Sequence, residues 1–247
     1  VALDQRGFGD SDWSPEKNYK VRDFAGDAAA LIEHMGWEKC IVVGHSMGGR
    51  NAVCAALNYP KLVAGSVLVD CCPVIAAAGA RRIGDQVAGV PKLFKSFDDA
   101  LRYFPVTPWS NQFDPTRRAR FEEYLKPVKG GYVVKRDPYF HELFFKLKES
   151  WPYHSYENGT WPMGQEFDAW AAWETVQSPT LAVIGRTGDC FSPESAARAV
   201  RIAEEINPNF RGVQHLAHHN LPGKIPKEVV ADIRSLASLV DGGNDDA

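Results

Sequence analysis

Short apolar runs ending in glycine or aspartate alternate with stretches of helical periodicity, and this alternation restricts the chain to a parallel sheet with crossover helices. Asp23 to Met35 places Phe24, Ala28, Leu31, Ile32 and Met35 on one helical face, and Cys40-Ile41-Val42-Val43 follows as a short buried strand. After Gly44 a second helix is expected from Met47 to Tyr59, stopped by Pro60, and Gly65-Ser66-Val67-Leu68-Val69 reads as the next strand, ending at Asp70. The rhythm is lost from about Pro73 to Trp173, where 19 of the 28 Phe, Trp and Tyr residues lie between Phe97 and Trp173. An inserted unit is expected there, its aromatics forming either ordinary core or the wall of an apolar cavity. The rhythm returns at Pro179, with a strand Thr180–Ile184, a helix Pro193–Ile206, a strand Arg211–Gln214 and an amphipathic helix from Pro226 to about Val240. Val1-Ala2-Leu3 reads as the end of a buried strand, and 241–247 as a disordered polar tail. The expected division is therefore core 1–72, insertion 73–173, core 174–240 and the tail.

Composition removes several classes of function. The 247 residues carry a net charge of -3, so no basic field exists to draw in nucleic acid or anionic lipid. No stretch approaches the ~20 consecutive apolar residues that span a bilayer. The five cysteines form an odd set without paired CxxC spacing, and adjacent Cys71 and Cys72 make an unlikely bridge, so reduced thiols are expected and a zinc site is not.

The strongest local signal is Val42-Val43-Gly44-His45-Ser46-Met47-Gly48-Gly49, a strand leading through Gly-x-Ser-x-Gly into a helix. A serine on such a turn projects its hydroxyl above the sheet edge, while small Gly44 and Gly48 let the backbone turn sharply and the helix N-terminus favours developing negative charge. Ser46 is the candidate nucleophile, and His45 beside it reads as a turn-lining residue rather than the base. A serine hydroxyl needs a histidine to take its proton and a carboxylate to orient that histidine. Asp189, in Gly185-Arg186-Thr187-Gly188-Asp189 after the strand Thr180–Ile184, and His219, in the loop after the next strand, supply them in the order Ser, Asp, His. Competitors stand close by: Asp70 also ends a strand, and His215 and His218 neighbour His219.

Together, Asp4-Gln5-Arg6-Gly7-Phe8-Gly9-Asp10-Ser11, Gly44-His45-Ser46-Met47-Gly48-Gly49, Pro179-Thr180 with Gly185…Asp189, and His219…Pro226 resemble the ordered signature of the α/β-hydrolase superfamily. The resemblance covers nearly the whole chain. It implies an α/β fold with a mostly parallel sheet, and an inserted, largely helical cap. It maps the acid to Asp189 and the base to His219, seven residues before the proline that opens the last helix, and sets His218 where the family usually has glycine. Tyr132-Val133-Val134-Lys135-Arg136-Asp137-Pro138 is similar to a cap segment of small esterase-like members. A cap implies a covered acyl or alcohol pocket, for which His45, Trp109, Tyr139 and Trp161 are the expected substrate-binding residues. An aspartate nucleophile, as in dehalogenases and epoxide hydrolases, is not expected, because this position is Ser46.

The chain also departs from the family, whose members have strands and an oxyanion loop upstream of the Asp-x-Arg-Gly segment. The resemblance implies a further strand between Val1–Leu3 and Cys40–Val43, and an oxyanion donor beyond the Met47 N–H. A missing donor of that kind costs ~10²–10³ in turnover. The expectation is that residues 1–247 alone fold poorly or are nearly inactive, and that a longer parent carries the activity. Asn158-Gly159-Thr160 reads as a turn rather than a glycosylation acceptor, and Arg117-Arg118-Ala119-Arg120 as a solvated helix face.

The reading that follows is a serine hydrolase of carboxylic esters, lactones or thioesters, acting on a mainly apolar small molecule through an acyl-enzyme on Ser46, without metal or organic cofactor and without nucleic-acid or membrane partners. A cytoplasmic location is expected, and the oligomeric state is left open. Other chemistry on the same triad (amide or carbon–carbon cleavage, perhydrolysis, acyl transfer) and a non-catalytic binding relative are the alternatives.

Overall fold

The short apolar runs form the parallel strands of one sheet, those at 63–69 and 180–185 buried along nearly their whole length, and the amphipathic stretches between them form its helices. The computed structural model describes residues 1–104, 116–150 and 167–242. In chain order the first elements are α1 (Val21–His34), β1 (Cys40–His45), α2 (Met47–Asn58), β2 (Val63–Val69) and α3 (Ala77–Ala88). Then come α4 (Phe97–Tyr103), α5 (Arg117–Tyr124), β3 (Leu125–Val128), β4 (Gly131–Val134), α6 (Pro138–Ser150) and α7 (Ala169–Thr175). The last are β5 (Thr180–Gly185), α8 (Pro193–Arg201) with a wider π turn over Ile202–Ile206, β6 (Phe210–His215), α9 (Leu221–Lys224) and α10 (Pro226–Gly242).

The chain divides into two compact units. One comprises 1–18 and 81–151, the other 19–80 and 152–247, with the boundary falling inside α3. This division runs differently from the expected boundaries at 73 and 173, because the N-terminal loop belongs with residues after 80.

The larger unit holds the four-stranded parallel sheet in the order β1-β2-β5-β6. The register pairs His45 with Val69, Val69 with Val183, and Gly185 with His215, so the carboxyl ends of all four strands open on one edge. One side of the sheet is packed by α1, α2, α7 and α8 around Trp173 and Phe210, whose rings lie 4.7 Å apart. Each such fully buried side chain contributes about 1.5–3 kcal/mol of transfer free energy. Buried Asn207 donates through Nδ2 to the carbonyls of Trp173 (3.0 Å) and Val176 (2.9 Å), satisfying the end of α7. The other side is closed by α9 and α10 through Leu221, Val229 and Leu236. Between β2 and β5 the buried hydroxyls of Ser66 and Thr180 bond to each other at 2.8 Å, so neither is left unsatisfied.

Beside its helices the smaller unit carries one hairpin, β3–β4, with Leu125 opposite Val134 and Val128 opposite Gly131. Gly131, at φ 152°, is required there, since a Cβ would sit 1.9 Å from the Phe94 carbonyl oxygen. An aromatic cluster of Phe94, Phe104, Phe121 and Tyr132 packs on this hairpin. Val1–Leu3 is not a strand but exposed coil, with Val1 88% accessible, since no neighbour among the described residues offers it a ladder. The loop that follows is anchored instead by Gly9 N–H to the Lys135 carbonyl (2.8 Å) and Asp137 N–H to the Gly7 carbonyl (2.8 Å). A 2.9 Å ion pair joins Lys17 to buried Asp137. The basic run at 117–120 is only partly a solvated face. Arg117 donates to the carbonyls of Leu101 (2.5 Å) and Phe104 (2.8 Å), while Arg118 lies 4.7 Å over the Phe97 ring. The tail beyond Gly242 lies outside the described residues, and α10 runs two residues past its expected end.

Candidate active site

The site begins where β1 must become α2 without a loop. Ser46, the single residue between them, takes φ 55° and ψ -116°, a conformation that costs a non-glycine residue of order 1–3 kcal/mol. The turn is possible because its neighbours have no side chains to clash. A Cβ on Gly44 would lie 2.0 Å from the Gly48 carbonyl oxygen, and one on Gly49 would lie 2.5 Å from the Cys71 Cβ. The Ser46 amide donates to the Val69 carbonyl (2.9 Å), fixing the serine to the end of β2. Serines usually spend their hydroxyl when they cap a helix, as Ser96 and Ser192 do here, but the Ser46 side chain makes no capping bond to α2. Its Oγ is left for chemistry, at the positive end of a helix whose next amide is Met47.

The three neighbouring histidines separate cleanly. His215 bonds through Nε2 to Asp232 Oδ2 on α10 (2.7 Å), and His218 is exposed, with Nδ1 2.8 Å from the Thr187 carbonyl. His219 alone has its Nδ1 on a buried carboxylate, Asp70 Oδ2, at 2.5 Å.

Asp70 is the first residue after β2 and, like Ser46, has a positive φ, 42°. Its amide donates to the Val183 carbonyl (2.7 Å), and its second carboxylate oxygen accepts the Gly185 N–H (2.7 Å). The side chain is therefore fixed at both oxygens. Gly185 has to be glycine, because a Cβ would lie 2.6 Å from the Ala217 carbonyl oxygen and 3.1 Å from Asp70 Oδ1.

The resemblance maps the orienting acid to Asp189, whereas the structure shows His219 Nδ1 bonded to Asp70 Oδ2. Asp189 lies four residues beyond the end of β5, in a loop that turns back toward the segment after β2. The Asp189 carbonyl accepts from Gly79 N–H (3.1 Å), the Cys190 carbonyl from Ala76 N–H (3.0 Å), and the Asp189 carboxylate from the Cys190 thiol (3.6 Å).

His45 is tied in a way that residue order does not reveal. Its Nε2 lies 2.7 Å from the His219 carbonyl oxygen, and the two rings are 4.8 Å apart. Burial pushes the His45 pKa below the ordinary histidine value, against the opposing pulls of the His219 carbonyl and of Asp70. The ring is thus neutral at neutral pH, and because a carbonyl can only accept, Nε2 carries the proton. Of the other residues expected to line a pocket, Trp109 and Trp161 lie outside the described residues, as does Asn158. Tyr139 belongs to the smaller unit, where the Lys17 ammonium lies 5.9 Å from its ring centroid.

The thiols near the acid are poor competitors for the nucleophile's role. Burial pushes the Cys71 thiol up to about 12 and raises Cys72 as well, so neither is a thiolate at neutral pH. Among the described residues no group of three or more His, Cys, Asp or Glu converges as a metal site, and no helix is long and apolar enough to cross a membrane.

Comparison with known proteins agrees with this architecture. A 2-(acetamidomethylene)succinate hydrolase of Mesorhizobium japonicum is 37% identical over 131 residues, 53% of this chain and 46% of that protein. An sn-1-specific diacylglycerol lipase of Mus musculus is 37% identical over 90 residues, 36% of this chain and 28% of the lipase. The matched stretch thus spans less than half the length of either relative. The crystal structure of an E-2-(acetamidomethylene)succinate hydrolase superposes with a TM-score of 0.76 at 27% identity, covering 95% of this chain and 79% of that one. Residues 1–220 match the family described as alpha/beta hydrolase fold, and the chain belongs to that family.

Proposed function

We propose that this hydrolase cleaves a carboxylic ester, or a lactone or thioester, of a small molecule through an acyl-enzyme on Ser46. The observation that carries the reading is the Asp70–His219 bond beside the strained Ser46 turn. Ser46 Oγ attacks the carbonyl carbon while His219 Nε2 takes its proton. Asp70, fixed on Nδ1, holds the ring with the correct nitrogen facing the serine and stabilises the imidazolium that forms. In this assignment Asp70 replaces Asp189 as the orienting acid. The Met47 N–H donates to the developing oxyanion. His219 then returns the proton to the leaving alcohol, and a water activated by the same imidazole releases the acid.

A second reading is favoured by the 2-(acetamidomethylene)succinate hydrolase of Mesorhizobium japonicum, whose name carries an acetamidomethylene group on a succinate. The same residues would then attack an amide in a small dicarboxylate. The two readings separate on substrates: p-nitrophenyl esters from acetate to decanoate against acetamido dicarboxylates, each with a Ser46→Ala control. The ester reading requires turnover of the former that disappears with Ser46→Ala, together with covalent labelling of Ser46 by a fluorophosphonate. Turnover confined to the amides selects the second reading, and Ser46→Ala retaining full activity excludes both.

A further inference from the structure

His45 is the last residue of β1, and it reaches across to the residue expected to act as base. Three contacts form a closed circuit. The Ser46 amide bonds the carbonyl of Val69, the residue before Asp70. The Asp70 carboxylate bonds His219 Nδ1. The His219 carbonyl bonds Nε2 of His45, the residue before Ser46. Each of the three chemical residues is thereby fixed to the next or to the residue just before it in the chain.

The loop that carries His219 has need of such a tie. It leaves β6 at His215, passes an almost fully exposed Leu216, and enters the four-residue helix α9 capped by Asn220. Its backbone is held at Ala217, whose carbonyl accepts the Thr187 N–H (3.2 Å), and at the α9 cap. The Asp70 bond acts on the imidazole at Nδ1, and the His45 bond acts on the main chain of the same residue. A hold on the His219 main chain fixes the point from which the imidazole reaches Asp70.

We infer that His45 is a positioning residue, its Nε2–H bracing the main chain of His219 so that base and nucleophile are carried as one rigid piece. The inference rests on the serine hydrolase reading above and adds to it the residue that sets the distance between the two. His45 acts through His219, and its Nε2 is not available to substrate.

The variants are His45→Phe, which keeps a ring and removes the donor, and His45→Gln, whose amide N–H reaches nearly the place of Nε2. Both are compared with the parent in the intact protein on p-nitrophenyl esters. A misplacement of the order of 1 Å costs up to ~10²-fold. Accordingly, His45→Phe is expected to lower kcat by ~10–100-fold with KM changed less than about threefold, and His45→Gln to recover kcat to within about fivefold of the parent. Overturning results are His45→Phe turning over within twofold of the parent, a loss confined to KM, or a folded His45→Gln no better than His45→Phe. Exchange of the His219 Nδ1 proton, followed by NMR, reads the brace without reference to turnover. Exchange that is faster in His45→Phe and restored in His45→Gln supports the brace even if Ser46 proves not to be the nucleophile, and equal exchange in all three proteins overturns it.

Discussion

The carboxyl ends of β2 and β5 lie side by side, and each is followed by an aspartate, yet the chain treats the two differently. After β2 the acid comes at once, and Asp70 is held at φ 42° with its amide on Val183 and one oxygen on Gly185. After β5 it comes four residues later, when the backbone has already turned toward Gly79 and Ala76. An aspartate directly at a strand end inherits the precision of the sheet, because its position is fixed by ladder hydrogen bonds on both sides. One in a following loop inherits the path of that loop. The strained backbone at Asp70 mirrors that at Ser46, and strain retained at two adjacent strand ends marks the edge where geometry has been favoured over stability.

The largest effect expected is from Ser46→Ala, which removes the nucleophile and should lower kcat on the true substrate by ~10⁴-fold or more. Asp70→Asn tests the comparison itself. It leaves the shape intact but offers an amide where the imidazole N–H needs an acceptor, and should lower kcat by ~10³–10⁴-fold. Asp189→Asn should cost less than about tenfold, since Asp70 keeps its hold on Nδ1. Steady-state kinetics on the two variants side by side decides the matter, and the reverse ranking would return the acid's role to the β5 loop. Combining Ser46→Ala with Asp70→Asn should cost little more than Ser46→Ala alone, because the residues act as a unit.

A smaller effect sharpens the same comparison from the other strand. Gly185→Ala places a methyl group 2.6 Å from the Ala217 carbonyl oxygen and against Asp70 Oδ1, so the strand end must shift. The expected loss is about 1–3 kcal/mol of stability, read from denaturant midpoints, with a fall in kcat that exceeds any change in KM. Gly36→Ala is the control, since nothing lies within 4 Å of its added carbon although its φ of 67° carries strain too. It should cost stability without touching kcat.

How far the sequence discloses this arrangement depends on what each residue's position rests upon. The sheet and its helices are visible as periodicities, with Val21–His34, Met47–Asn58 and Thr180–Gly185 falling within two residues of their expected bounds. Ser46 is legible because the constraint is local: two glycines and a strand–helix junction leave one conformation. His219 is legible from its spacing to Pro226. The acid is not, because choosing between Asp70 and Asp189 requires knowing where a loop goes after β5, and that is decided by contacts with residues more than a hundred positions away. The β3–β4 hairpin escapes for a related reason: Lys126-Pro127 weakens its strand signal, and the pairing depends on Phe94 bridging to Tyr132.

The smallest effect expected concerns pH and His45. Burial lowers its pKa in the folded protein, while in the unfolded chain it titrates near the ordinary value of about 6.5. As pH falls through that value, the unfolded chain takes up a proton that the native ring does not, so stability declines toward acid within the window from about 6.5 down to the lowered native pKa. Above pH 7 the ring is neutral in both states and contributes no slope. Denaturant titrations of the parent between pH 7.5 and 5 should therefore show a decline of which part is absent in His45→Phe. A parent and variant with parallel profiles would mean that the ring accepts a second proton in place, and that its neutral form is not what the fold requires.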